Sequence, residues 1–146
     1  MIYLEDIMTR INLVSPESLT DQHLMAEYRE LPRVFGAVRK RLSENKPFDD
    51  IPSTFRLGSG HVKFFYDKIQ FLYLRQVDII NECLKRNIKI SITDVDVTDI
   101  PVNLLNDYSP SSADINLSRS RLDEKISMKP NWYKFYGKPL IGIDND

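Results

Sequence analysis

A chain of 146 residues, 42% hydrophobic and 28% charged, has the size of one domain and enough apolar side chains for a core, so no second folded unit is expected. Its single cysteine, Cys83, excludes an intrachain disulfide and any cysteine-built zinc or iron–sulfur centre. The net charge of −1 hides an uneven distribution: residues 28–46 and 115–138 are basic, while residues 90–114 carry Asp94, Asp96, Asp99, Asp107 and Asp114 and no Lys or Arg. Such a chain can offer a cationic face to an anionic partner despite its neutral total.

In chain order, residues 1–7 are acidic and lack the basic start and long apolar run of a signal peptide, so a cytoplasmic protein is expected. The first helix follows Thr20 or Asp21, either of which can cap it. Leu24, Tyr28, Leu31, Phe35, Val38 and Leu42 recur at spacings of four and three, the stripe of an amphipathic helix. Pro32 falls inside that pattern and predicts a kink rather than an end. A second helix is expected over residues 60–86, with Val62, Phe65, Ile69, Tyr73, Val77, Ile80 and Leu84 on its apolar side and Cys83 in the core. A third is expected over residues 112–128, with a thinner apolar face of Ile115, Leu122 and Ile126, closed by Pro130. Residues 93–111 and 131–146 read as irregular. The fold class is therefore all-α, a compact single domain of three main helices with long irregular loops and an aromatic, basic C-terminal segment.

Two polar constellations stand out. On the first helix Gln22, Arg29, Arg33 and Lys40 share one stripe, and His23 and Glu30 share the next. A carboxylate among arginines beside an imidazole suits acid–base work on an anionic substrate; the plain alternative is a solvated helix face. On the third helix Arg121, Lys125 and Lys129 are spaced by four, and Trp132, Tyr133, Lys134, Phe135, Tyr136 and Lys138 follow. Lysines can track phosphates while aromatics stack on bases. The alternative is that Trp132 and Phe135 cover the core. Gly58, Ser59, Gly60 and His61 precede a helix but match no nucleotide-binding fingerprint, and read as a turn. Two histidines, His23 and His61, are too few for a histidine-rich metal site.

The run Met8, Thr9, Arg10, Ile11, Asn12, Leu13 and the stretch from Asp21 to Arg33 resemble the opening of the bacteriophage-type pyrimidine-dimer DNA glycosylases with AP lyase activity, the phage endonuclease V family. The resemblance continues through Gly60-His61-Val62, Phe64-Phe65-Tyr66-Asp67-Lys68, Glu82-Cys83-Leu84-Lys85-Arg86, Arg121-Leu122-Asp123-Glu124-Lys125-Ile126 and Trp132-Tyr133-Lys134, covering residues 8–138. It implies a monomer without metal or organic cofactor, acting on double-stranded DNA that contains cyclobutane pyrimidine dimers or abasic sites. It further implies that the amine of Thr9 is the nucleophile and Glu30 the essential carboxylate. Arg10, Gln22, His23, Arg29, Arg33, Arg121, Lys125, Trp132 and Lys134 would hold the DNA.

The family's Met-Thr opens the protein, whereas here seven residues precede it, so residues 1–7 are expected to be an upstream extension and Met8 the natural start. Residues 139–146 then form a tail beyond the matched domain. Were the extension retained, the nitrogen of Thr9 would be an amide, and a catalytically inactive damaged-DNA-binding protein is the alternative.

Overall fold

The computed structural model describes residues 10–140; Thr9, the expected extension and most of the tail lie outside the described residues. Three helices dominate, α1 (Asp21–Ser43), α2 (Ile69–Lys85) and α3 (Ser112–Met128). Short 3-10 turns occupy Pro16–Ser18, Lys63–Phe65 and Val102–Leu104, and a small hairpin pairs β1 (Lys134–Phe135) with β2 (Lys138–Pro139). No helix among the described residues is long and apolar enough to cross a membrane.

α1 forms as its stripe predicts. The Thr20 side chain accepts the His23 N–H at 3.1 Å, which satisfies one of the orphan donors of the first turn. Leu24, Leu31 and Val38 are fully buried, and burial of each contributes about 1.5–3 kcal/mol. The helix runs through Pro32 without ending. Past its end, Asn45 takes φ 55°, and the bonds Lys46 N–H to Arg41 O and Asn45 N–H to Leu42 O close it as a Schellman motif. Asn87, with φ 59°, closes α2 in the same way through Ile88 N–H to Cys83 O and Asn87 N–H to Leu84 O.

α2 is shorter than the sequence pattern predicts, because it starts at Ile69 rather than near Gly60. Val62 and Phe65 keep helical spacing, but Gly58 and Gly60 hold positive φ and Lys63–Phe65 is a 3-10 turn, so the apolar rhythm crosses a break in the backbone. The buried face is also rotated. Ile69, Leu72, Gln76, Ile79 and Cys83 face inward, while Tyr73 and Val77 are half-buried and Leu84 is exposed. α1 lies along α2, and their inward faces share one core with Phe55, Phe64 and Phe65.

α3 has the expected bounds, opened by a capping box between Ser111 and Asp114. Its inward face is Ser118, Leu122 and Lys125; Ile115 is exposed. The region after it is less irregular than expected. Tyr136 (φ 53°) and Gly137 (φ 77°) form a two-residue turn of the kind that matches hairpin twist. Asp21 accepts the N–H groups of both, at 3.1 and 2.8 Å. Gln22 donates to the Trp132 carbonyl at 2.8 Å and accepts the Lys134 N–H at 2.9 Å. The Arg86 guanidinium, nearly fully buried, binds Glu82, Asp21 and the Leu19 carbonyl beneath the rings of Phe135 and Tyr136. The C-terminal segment is thereby fastened to the start of α1.

Candidate active site

The segment after Arg10 has no regular secondary structure, and it is held by buried side chains instead of a neighbouring strand. Ile11 N–H donates to His61 Nε2 at 3.1 Å, and Leu13 N–H to Ser118 Oγ at 3.0 Å. Asn12 gives both its backbone N–H (3.3 Å) and its side-chain amide (2.9 Å) to Glu27 Oε1. Glu27, fully buried on α1, receives two bonds from Arg75 of α2 at 2.6 and 2.9 Å. A third Arg75 nitrogen donates to the Val14 carbonyl. All three helices and the loop ending at His61 therefore fix this segment, so its buried polar groups are paired where a ladder is absent.

One turn along α1 from Glu27 stands Glu30, whose side chain is 3% exposed. Arg10 Nη1 lies 3.0 Å from its Oε1, and Arg33 Nη1 lies 4.0 Å from its Oε2. That second oxygen has no hydrogen-bond partner among the described residues. Leaving a buried acceptor without a partner costs about 1–3 kcal/mol. Arg10 itself has φ 60°, a conformation that costs a non-glycine residue about 1–3 kcal/mol. Backbone strain thus coincides with the Arg10–Glu30 ion pair.

The pair lines a cavity of about 880 Å³, bounded also by Arg33, Arg121, Tyr66 and residues 56–63. Five cations border it, Arg10, Arg33, Arg56, Lys63 and Arg121, against two acids, Glu30 and Asp50. Asp50 is engaged by Arg41 at 2.8 Å and Lys63 at 2.9 Å, and their hydrogen bonds hold its carboxyl below the usual range. Gly60 (φ 85°) is constrained by the rim, since a Cβ there would lie 3.2 Å from both Arg56 and Pro52. The cavity suits a polyanion with a group that loses or gains charge near Glu30.

Of the residues singled out in the sequence, the cavity brings together Arg10, Glu30, Arg33 and Arg121. Arg29 is exposed on a second groove of about 410 Å³ with Tyr28, Pro32, Lys89 and Ile92, which Arg33 also borders. Trp132 stays 40% exposed at the hairpin, with Lys134 exposed nearby, while Tyr133 is the ring that enters the core. Gln22 spends its carboxamide on the backbone of that segment. Arg121, Lys125 and Lys129 do not form one open basic face on α3, because Lys125 is buried. His23 is buried too, stacked on Tyr133 at 4.6 Å and bonded to Thr20. Burial, then the nearby Lys125 charge, lowers its pKa to about 4. Burial likewise lowers that of His61, so both rings are neutral near pH 7.

Glu27, Arg75 and Ser118 are functional residues that no pattern in the sequence singles out, and Gly58 to His61 has the composition of a plain turn. Nothing local announces the Glu27–Arg75 pair, whose partners are 48 residues apart. His61 did carry a signal, an imidazole directly after a glycine pair, but its partner Ile11 lies 50 residues away. Among the described residues no three His, Cys, Asp or Glu side chains gather as a metal site requires. A comparison with protein families gives a match over residues 8–96, more than half the chain, to the model described as pyrimidine dimer DNA glycosylase. That span includes Glu30, Arg33, His61 and the anchored segment behind Arg10, and the chain belongs to the pyrimidine dimer DNA glycosylases.

Proposed function

We propose that this chain removes the 5′ base of a cyclobutane pyrimidine dimer through an imine formed by the α-amine of Thr9, and then nicks the strand by β-elimination. The observation that carries the reading is Glu30, a buried carboxylate at the wall of a cationic cavity, with one oxygen held by Arg10 and the other, 4.0 Å from Arg33, without a hydrogen-bond partner among the described residues. Thr9 is covalently joined to Arg10, so its nitrogen is tied to the partner of that carboxylate.

The chemistry favours a chain terminus. An α-amine titrates at about 7.7–8.0 and a lysine at about 10.4, so at pH 7 the terminus has roughly a few hundred-fold more free base. The amine attacks C1′ as the bond to the base breaks, and positive charge grows on the sugar. Ionised Glu30 stabilises that charge. The departing base takes a proton; the C1′ adduct then opens its sugar ring, the C1′–O4′ bond breaking as O4′ takes a proton and the nitrogen loses one, which leaves an imine. Glu30 then accepts the C2′ proton, the electron pair moves toward the imine, and the C3′–O bond breaks, leaving the phosphate on the 3′ fragment. Arg10 shares its charge with Glu30, which limits how far it can depress the amine by repulsion.

DNA enters kinked, with a nucleotide extruded, at lower cost where a dimer already stacks poorly. Arg33 and Arg121 at the cavity, Arg29 at the second groove, and Trp132 and Lys134 at the hairpin supply the contacts to duplex that offset that cost. Gln22 and His23 contribute by holding the segment Trp132 to Lys134 in place, and Lys125 adds positive charge from beneath. The active form in this reading is a monomer that begins at Thr9, with residues 1–8 absent, because an amide nitrogen cannot form the imine. A chain that keeps those residues would bind damaged DNA without cutting it.

Glu30→Gln tests the reading. It keeps the shape and one acceptor oxygen, so binding to dimer-containing duplex should stay within about threefold while strand cleavage falls by at least about 100-fold. Normal cleavage by this variant would remove Glu30 from the chemistry.

A further inference from the structure

We infer that His61 is the positioning residue for the amine, acting as the acceptor that fixes the chain two residues behind Thr9; the inference rests on the amine reading above. His61 makes two hydrogen bonds with opposite demands. Nδ1 lies 2.7 Å from the Arg56 carbonyl, which only accepts, so Nδ1 carries the proton. Nε2 is then bare and accepts the Ile11 N–H at 3.1 Å. The carbonyl of Arg56 thus selects the tautomer that can hold Ile11, the way a partner on one ring nitrogen sets the role of the other.

The ring has little freedom to do anything else. It is 3% exposed and wedged edge-to-face between Phe55 and Phe65, at 5.5 and 5.6 Å. Burial lowers its pKa, which keeps Nε2 an acceptor near neutral pH. Arg10 and Glu27 are the charges acting on it, and they oppose each other.

Among the ties on residues 11–14, this one lies nearest the terminus, and it alone comes from the cavity loop. The others, to Glu27, Ser118 and Arg75, hold Asn12, Leu13 and Val14 from the core side. Glu30 is set by α1 and Arg10 by its own positive φ of 60°, so the Ile11 amide is the point from which the reach of the terminal nitrogen toward Glu30 is measured. A shift of about 1 Å at such a point can cost roughly 100-fold in rate while leaving binding alone.

Two variants of equal polarity separate the bonds. In His61→Gln the carboxamide extends to the Nε2 position and can accept from Ile11. In His61→Asn it reaches only the Nδ1 position, keeps the Arg56 carbonyl and releases Ile11. With duplex carrying one thymine dimer under single-turnover conditions, His61→Asn should cut about 10–100-fold more slowly at unchanged affinity, and His61→Gln should recover most of the rate. Exchange of the Ile11 amide should rise in His61→Asn and not in His61→Gln. Equal rates and equal exchange in both overturn the inference alone, since Glu30 and the amine are untouched. A wild-type chain beginning at Thr9 that makes no cut overturns the amine reading and this inference with it. Should His61→Asn not fold, the ring nitrogen-15 shifts of the wild-type protein decide the matter: Nε2 protonated at pH 7 overturns it, and Nε2 bare supports it.

Discussion

At the scale of single residues, the two histidines show how burial converts a common titrating group into a fixed neutral one. His23 binds a proton near pH 6.5 when the chain is unfolded and only near pH 4 when folded. Between those values the unfolded state holds the extra proton, so stability rises with pH through this window and is lost as pH falls from about 6.5 to 4. The His23 part of that loss is at most about 3 kcal/mol, and His61 shifts in the same direction. His23→Phe preserves the stack on Tyr133 but cannot titrate. Urea midpoints measured from pH 7 to 4 should therefore fall less steeply in the variant than in the wild type. Parallel slopes would show that acid loss comes from elsewhere.

At the scale of elements, the segment behind Arg10, α1 and α2 meet at Glu27 and Arg75. Arg75→Met leaves Glu27 charged, buried and short of two donors, although Asn12 still contacts it. The expected loss is about 3–5 kcal/mol in denaturant unfolding, far above the value of an exposed ion pair. A loss below about 1 kcal/mol would mean that the pair does not hold these elements together. The same elements show what a sequence can disclose. The stripe and cap of α1 were legible because both are local, within a few residues along one helix. The bounds of α3 were legible for the same reason. The start of α2 was not, since spacing alone cannot reveal that two positive-φ glycines and a 3-10 turn interrupt it. The inward Ser118 was hidden because its burial depends on a distant partner, the Leu13 N–H that its Oγ accepts. Glu30 was readable as a carboxylate among arginines, and Arg33 does lie 4.0 Å from it, but its hydrogen-bonded partner is Arg10, 20 residues away.

At the scale of the whole molecule, the chain is organised around one short segment whose first described residue is Arg10. The three helices and the cavity loop each contribute a fastening to that segment or a cation around Glu30, while the hairpin is fastened to the start of α1. The central claim concerns the residue just before it, and borohydride trapping on duplex containing a thymine dimer tests it most directly. A chain beginning at Thr9 should yield a covalent protein–DNA adduct, and peptide mass mapping should find the reduced sugar on the Thr9 nitrogen. The chain that retains Met1 should yield none. An adduct on a lysine such as Lys125, or equal trapping by the chain that retains Met1, would contradict the account.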